Sequence, residues 1–169
     1  MALVVVTDAS VLINLVHAEL IEVLSRDTDH EFMIPDAVHN EISLPEQRSV
    51  VDAALTDGLL RLVRLEGQDG LEDFAALRSQ MGIGEASCLA LTRINADWLL
   101  ASDERGAFRR IAIGRIGESR LVTTPGIMLH LIKRKLLTVD AADCALKLLA
   151  TRRFRTRFSS FRELLDNDQ

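Results

Sequence analysis

The chain has 169 residues, of which 48% are hydrophobic and 27% are charged, a balance that fits one folded domain and excludes a disordered chain. Aromatic residues make up only 4% and Tyr is absent, which argues against a surface that holds single-stranded nucleic acid mainly by stacking bases on rings. The formal net charge is −5, whereas a generic nucleic-acid binder is usually basic.

The charge is distributed unevenly along the chain. Residues 1–132 contain 11 Lys or Arg and 20 Asp or Glu, whereas residues 133–157 contain eight basic and two acidic residues. An acidic body with a basic C-terminal portion can still bind a polyanion. A solvated helix face, or a docking surface for an acidic partner, explains the basic portion equally well.

The cysteines and the N-terminus indicate the compartment. Cys88 and Cys144 are far apart and belong to no CxxC or Cys/His cluster, so we expect no disulfide framework, no zinc site and a reducing environment. The N-terminus lacks the basic region of a signal peptide, and no apolar stretch reaches the roughly 18 residues of a membrane span. We therefore expect a cytoplasmic protein with no membrane segment.

Apolar runs and turn residues alternate along the chain. Strands are predicted at residues 3–7, 31–35, 59–65, 98–102 and 120–123. Helices are predicted at residues 10–24 (with a break near His17), 36–42, 46–58, 70–82, 84–96, 104–113, 125–137 and 139–153, with a final turn or two at 158–165. Continuous apolar strands that are each followed by a helix are typical of a parallel sheet covered on both faces. The pattern predicts a three-layer α/β domain with five strands.

Acidic residues follow the predicted strands. In open parallel sheets, ligands bind beyond the carboxyl ends of the strands, so polar residues at those positions are the candidates for function. Asp8 follows the first strand, Glu41 lies on the helix after the second, and Asp103 and Glu104 follow the fourth. No glycine-rich phosphate loop lies at this edge, and no histidine is placed there to act as a base.

Each acid also has an ordinary structural explanation. Asp8 and Asp103 could cap the helices that follow them, Glu41 could form a salt bridge at the edge of a buried face, and Glu85 suits a helix N-terminus. Several carboxylates at one edge repel each other, and such a cluster is tolerated when a divalent cation is bound. Mg²⁺ and Mn²⁺ take oxygen ligands and support phosphodiester hydrolysis.

Four segments make the sequence similar to the PIN-domain family, and in particular to its VapC-like bacterial and archaeal ribonucleases. The segments are VVVTDASVLINL, IPDAVHNEI, GIGEASCLALTRINADWLLASDERGAFRRIA and LVTTPGIMLHLIKRKLL. The first three place an acidic residue at a strand end or a helix terminus, and the last combines a T-x-G-x-L stretch with a basic helix. These motifs cover residues 3–137 and leave 138–169 as a helical extension of a single domain.

The resemblance implies a fold and a set of site residues. The fold is an α/β/α sandwich with strand order 3-2-1-4-5, which places Asp8 beside Asp103. The resemblance also implies a Mg²⁺ or Mn²⁺ site in which the same acids bind the metal and catalyse the reaction, namely Asp8, Glu41, Glu85 and Asp103. Glu104 is an additional acid for the metal, and Ser10 is a hydroxyl residue that supports Asp8.

The resemblance also implies an activity and partners. Many family members are metal-dependent endoribonucleases, many bacterial ones are toxins inhibited by an antitoxin, and members often dimerise through helices. We therefore expect an RNA substrate, an antitoxin partner and a homodimer. The alternative is a non-catalytic PIN-like scaffold that binds RNA or a protein.

Basic residues suggest where RNA would lie. We expect the cluster Lys133–Lys135, which comprises Lys133, Arg134 and Lys135, to contact RNA, and Arg105 to be a further contact. His39 and His130 lie on predicted helices, and we interpret both as packing or surface residues rather than metal ligands.

Overall fold

A five-stranded, all-parallel sheet with strand order β3-β2-β1-β4-β5 forms the centre of the computed structural model, which describes residues 1–166. The strands are β1 (Leu3–Thr7), β2 (His30–Pro35), β3 (Arg61–Val63), β4 (Leu99–Ala101) and β5 (Leu121–Val122). The flanking helices are α1 (Ala9–His17), α2 (Ile21–Leu24), α3 (Asp36–Glu41), α4 (Pro45–Thr56), α5 (Gln68–Leu77), α6 (Ile83–Ile94), α7 (Ala107–Ile116), α8 (Thr124–Lys133), α9 (Val139–Thr151) and α10 (Phe161–Asp166), with a 3₁₀ turn at Glu118–Arg120. This topology confirms the predicted fold class.

The order of the strands reverses between β1 and β4. The chain first adds β2 and β3 on one side of β1, and then places β4 and β5 on the other side. Thr7 at the end of β1 pairs with Ala101 at the end of β4, so the residues that follow these two strands emerge side by side. This is the position at which open α/β sheets bind their ligands.

The core lies between the sheet and its helices. The central strands β1, β2 and β4 contribute buried side chains that include Val6, Ile34 and Leu100, which are all fully buried. Helix α6 is buried at Gly84 and then without interruption from Ala86 to Thr92, because it packs against α3, α5 and the central strands. The helix that begins with Glu85 is therefore held firmly in the core.

The break expected near His17 is confirmed, because α1 ends at His17, the chain leaves the helical conformation at Glu19, whose φ is 57°, and α2 begins at Ile21. Other predicted boundaries were wrong. Gly82 does not close helix 70–82; α5 ends at Leu77, and Gly82 is the N-cap residue of α6. Helix α7 begins at Ala107 rather than at residue 104, since Gly106 adopts a φ of 66°.

The C-terminal extension packs against the rest of the chain. Helix α9 contacts α1 and α8, and α10 contacts α9. Asp143 on α9 anchors α10, because its carboxylate accepts hydrogen bonds from the Ser160 hydroxyl at 2.6 Å and from the Phe161 backbone N–H at 2.9 Å. The Phe161 side chain is fully buried.

Cys88 is buried and Cys144 is exposed, and both are free thiols. Across residues 1–166, the helices are too short or too polar for any of them to cross a bilayer.

Candidate metal and active site

Asp8 uses its two carboxylate oxygens differently. Oδ1 accepts hydrogen bonds from the Ser10 hydroxyl at 2.7 Å and from the Val11 backbone N–H at 2.9 Å, so Asp8 is the N-cap of α1. Oδ2 is buried and has no hydrogen-bond partner among residues 1–166. A buried carboxylate oxygen without a partner is costly, and a bound cation would satisfy it. The capping role predicted from sequence is therefore confirmed, and it leaves one oxygen for a ligand.

Burial raises the pKa of the Asp8 carboxyl to about 6. The nearby charge of Asp103 also raises this pKa, whereas Ser102, the Val11 N–H and Ser10 lower it. Ser102 is close enough to favour the ionised carboxylate, although its hydroxyl does not reach hydrogen-bonding geometry with Oδ2.

Asp103 is held by groups from α1 and α8. Its Oδ2 accepts a hydrogen bond from the Asn14 side-chain amide at 2.8 Å and a short one from the Thr124 hydroxyl, and its Oδ1 accepts one from the Thr124 backbone N–H at 2.8 Å. The Asp103 backbone N–H donates to the Ser10 hydroxyl at 3.4 Å, so Ser10 contacts both strand-end aspartates. Asp103 does not cap α7, because the N-cap residue of that helix is Gly106.

Glu41 approaches the backbone of α6. Its Oε1 accepts a hydrogen bond from the Gly84 backbone N–H at 2.8 Å. A Cβ atom on residue 84 would lie 2.6 Å from Oε2 and 2.7 Å from Oε1, so only glycine allows this approach. Glu41 forms no ion pair in the part of the chain that the structure describes, and the salt bridge considered from sequence is replaced by this backbone contact.

Glu85 caps its own helix. Its Oε2 accepts a hydrogen bond from the Gly82 backbone N–H at 2.9 Å, which satisfies a free donor at the start of α6. The role of Glu85 at a helix N-terminus, which was one of its two explanations from sequence, is thus confirmed. Gly84, which contacts the Glu41 carboxylate, directly precedes Glu85 in the first turn of α6.

The pKa of the Cys88 thiol, one turn after Glu85, shows which acids act on this part of α6. Burial raises the pKa of this thiol well above its usual range. The charges of three carboxylates raise it further, namely those of Asp8, Glu41 and Glu85. The acid that follows β1 and the acids on α3 and α6 therefore act on the same thiol in the N-terminal half of α6.

Glu104 belongs to the same neighbourhood. Partial burial raises the pKa of the Glu104 carboxyl, and the charges of Glu85 and Asp103 raise it further. Repulsion among carboxylates is the condition under which a divalent cation stabilises a site. All five acids selected from sequence therefore lie within electrostatic reach of one another or of the Cys88 thiol between them.

A cleft of about 560 Å³ begins at Asp103 and Glu104. Four arginines line it, namely Arg105 and Arg109 from the region of α7 and Arg155 and Arg157 from the segment between α9 and α10; we call it the basic cleft. The Arg105 side chain donates to the Arg155 carbonyl at 3.1 Å, which ties this segment to the loop after β4.

The arginines of the basic cleft differ in their pairing. Arg109 forms an ion pair with Glu118 at 2.7 Å. Arg155 and Arg157 are exposed, and their guanidinium groups form no hydrogen bond or ion pair with other described residues. The intervening Phe154, Thr156 and Phe158 are half-buried, so this extended segment directs its arginines outward.

The cluster Lys133–Lys135 lies elsewhere. It begins at Lys133, the last residue of α8, whereas Thr124 at the other end of α8 contacts Asp103. Arg134 forms an ion pair with Asp29 at 3.0 Å, and Asp29 immediately precedes β2. These basic residues therefore lie at the amino edge of the sheet, and the structure does not bring them to the acids.

Asp27, His30 and His130 form a second cluster of potential metal ligands, with one ligand atom from each within 4.8 Å of the others. It also lies at the amino edge, because His30 begins β2 and His130 is in the last turn of α8. It is separate from the acids that follow β1 and β4.

Three residues that shape the acidic site were not selected from sequence. Asn14 is the one amide in the apolar run VLINLV, and a single polar residue within such a run indicates a side chain with a specific hydrogen-bond partner. Thr124 follows β5, and its contact with Asp103 joins residues 21 positions apart. Gly84 lies in the stretch GIGE beside Glu85, and its contact with Glu41 joins residues 43 positions apart.

A protein-family model described as a PIN domain matches residues 4–168 of the chain. No curated protein and no solved structure matches the chain significantly.

Proposed function

Because this chain belongs to the PIN-domain family, we propose that it is a metal-dependent endoribonuclease that hydrolyses RNA at its acidic edge. PIN domains are generally nucleases that use divalent metals and act on nucleic acid. The observation that carries the proposal is the Asp8 Oδ2 atom, which is buried and without a hydrogen-bond partner among residues 1–166, in a carboxylate that lies within the electrostatic reach of Asp103. Such an oxygen fits a cation better than it fits a helix cap alone.

The donor atoms at this edge suit Mg²⁺ or Mn²⁺. They are carboxylate oxygens, the hard ligands that both ions prefer. The proposed ligands and catalytic residues are Asp8, Glu41, Glu85 and Asp103, with Glu104 as an additional ligand. When bound, such an ion activates water and neutralises the negative charge that develops on the phosphate.

The residues of the chain itself keep these carboxylates in position. Ser10 and the Val11 N–H orient Asp8, and Asn14 and Thr124 orient Asp103. Since the supporting groups belong to helices and their first turns, the carboxylates are ordered before substrate binds. Ordering of this kind lowers the cost of reaching the reactive arrangement.

The basic cleft supports a polyanionic substrate. It starts at Asp103 and Glu104 and continues along Arg155 and Arg157, so a strand whose phosphate reaches the acids can place neighbouring phosphates on guanidinium groups. We propose that these arginines, together with Arg105, bind the RNA backbone.

Regulation by a protein partner is part of the same proposal. A ribonuclease of this kind, encoded beside a small DNA-binding protein, would be the toxin of a toxin–antitoxin pair.

We also propose a homodimer formed through helices, since Val50 on α4 and Leu148 on α9 are large apolar side chains that are exposed. Reading the neighbouring gene and measuring molar mass by light scattering test the two points separately.

Cleavage of a labelled single-stranded RNA tests the activity. Wild type should cut with Mn²⁺ or Mg²⁺ and stop when EDTA is added, and Asp8→Asn should lose at least about a hundredfold in rate because a metal ligand is neutralised. Asp57→Asn is the matched control, since Asp57 is an exposed residue at the end of α4 and should leave the rate unchanged. A DNA of the same sequence tests the preference for RNA.

Equal cleavage by wild type and Asp8→Asn would identify a contaminating nuclease and overturn the proposed activity.

A further inference from the structure

Two histidines at the amino edge of the sheet converge on one buried carboxylate. His30 Nδ1 lies 2.8 Å from Asp27 Oδ2, and His130 Nε2 lies 3.2 Å from the same oxygen. The Asp27 side chain is 1% exposed, while those of His30 and His130 are 16% and 28% exposed. The two imidazole rings meet edge to face with centroids 4.4 Å apart.

These separations match the ligand spacing of a tetrahedral metal ion. Zn²⁺ binds histidine nitrogen and carboxylate oxygen at about 2.0–2.2 Å, which places neighbouring ligand atoms about 3.3 Å apart. The two distances from Asp27 Oδ2 are close to that value, and all three ligand atoms lie within 4.8 Å of one another. Two imidazoles and one carboxylate are ligands that favour Zn²⁺ over Mg²⁺.

The surroundings suit such an ion. The other oxygen of Asp27, Oδ1, accepts a hydrogen bond from the Asp29 backbone N–H at 3.0 Å, which fixes the carboxylate. A surface groove lined by Leu3, Asp29 and both histidines gives the cluster access to solvent. A fourth ligand, water or the Asp29 carboxylate, can enter from that side.

Contrary to the expectation from sequence that the protein has no zinc site and that His130 is not a metal ligand, we propose that Asp27, His30 and His130 form a Zn²⁺-binding site. This site is distinct from the acidic edge and fastens α8 to the start of β2. A strand rises about 3.3 Å per residue, so the length of β1 alone separates the two edges of the sheet by about 13 Å. The same helix α8 supplies Thr124 to Asp103 and His130 to the new site. The proposal does not depend on ribonuclease activity.

Calorimetric titration of EDTA-stripped protein with Zn²⁺ tests this site. Wild type should bind one Zn²⁺ at the cluster, and His130→Gln should bind it at least about tenfold more weakly, because a direct ligand is lost. His39→Gln is the matched control, since His39 contacts Asp52 and lies outside the cluster. Asp8→Asn should retain the binding, which separates this site from the acidic edge.

A second measurement needs no variant. In the metal-free protein, the nitrogens of His30 and His130 that face Asp27 carry hydrogens, whereas Zn²⁺ would occupy their lone pairs. The imidazole ¹⁵N signals of these two residues should therefore move on Zn²⁺ addition, and those of His17 and His39 should not.

Several results would overturn the proposal. They are no Zn²⁺ binding by wild type, equal binding by His130→Gln, loss of binding in Asp8→Asn, and unchanged signals of His30 and His130.

Discussion

Asp8 carries an electrostatic cost that its hydrogen bonds offset only in part, because its pKa of about 6 is well above the ordinary aspartate value of 3.8. The raised pKa means that the ionised carboxylate destabilises the folded state. That cost is fully present above about pH 6, decreases as the pH falls, and is absent below about pH 4.

Asp8→Asn should therefore stabilise the metal-free protein at pH 8 by about 1–3 kcal/mol, and the gain should disappear by about pH 4. Asn is also a good N-cap residue, so the start of α1 is retained. Urea unfolding in EDTA at both pH values measures the effect. A variant that is less stable than wild type at pH 8 would contradict this account of Asp8.

Gly84 should be the most sensitive glycine of the site. An alanine at this position would place a Cβ within 2.7 Å of both oxygens of Glu41, so the carboxylate must move. Gly84→Ala should lower RNA cleavage at least about tenfold and weaken Mn²⁺ binding, as measured by initial rates over a Mn²⁺ series.

Gly114→Ala is the matched control within helix α7, where an added Cβ meets nothing within 4 Å. It should stabilise the fold by roughly 0.5–1 kcal/mol and leave cleavage unchanged. If Gly84→Ala behaved in the same way, the contact with Glu41 would not matter for function.

The carboxylates of the site could be found from sequence because strand ends and helix starts can be recognised locally. Their supports could not be found in this way, since Asn14 and Asp103 are 89 residues apart and Glu41 and Gly84 are 43 apart. The free Oδ2 of Asp8 could not be predicted from sequence either. Helix capping is a sufficient explanation of an aspartate at this position, and it uses only one of the two carboxylate oxygens.

At the scale of elements, the segment between α9 and α10 contributes charge to the acidic edge. Arg155 and Arg157 lie in the basic cleft, whereas the cluster Lys133–Lys135 lies at the amino edge. The sequence identified the C-terminal portion as basic but could not show which of its charges approach the acids, because that depends on the direction of α8.

Replacing these two arginines should weaken RNA binding. Arg155→Gln/Arg157→Gln should reduce affinity roughly tenfold and lower the salt dependence of log K by about 1.4, which corresponds to two lost contacts with single-stranded phosphates. Fluorescence anisotropy in Ca²⁺, over a salt series, measures both quantities.

Lys133→Gln/Lys135→Gln is the matched control, because it removes the same charge at the opposite edge of the sheet. It should change affinity and slope much less. The reverse ranking would place the RNA along the cluster Lys133–Lys135, as the sequence alone suggested.

At the scale of the whole molecule, the C-terminal extension should unfold together with the sheet. Phe161→Ala should destabilise the protein by about 3–5 kcal/mol, because it removes a fully buried ring from the contact between α10 and α9. Trp98 is the only tryptophan and directly precedes β4, so its fluorescence reports on the sheet.

In a urea titration of Phe161→Ala, the Trp98 transition and the helical circular dichroism transition should shift to the same lower midpoint. A shift in the helical signal alone would mean that the extension is a separate unit. Phe154→Ala provides a comparison with a ring that is only half-buried, and it should have a smaller effect.

The architecture was predictable because each apolar strand and the helix after it can be recognised from a short stretch of sequence. A parallel sheet covered by helices is the packing that buries both the apolar strands and the apolar faces of those helices. Boundaries were less predictable where one residue changes the path of the chain. Glu19 and Gly106 adopt positive φ values, and a pattern of apolar and polar residues does not show where the backbone takes this uncommon conformation.

The two outermost strands are short, with three residues in β3 and two in β5. An exposed sheet edge normally offers a row of unpaired backbone groups to which another chain can add a strand. Here that row is only two or three residues long on either side, so sheet-to-sheet growth between molecules gains few hydrogen bonds. Copies of this protein should therefore resist fibre-like association even at high concentration, and any stable pairing must rely on side chains of the helices.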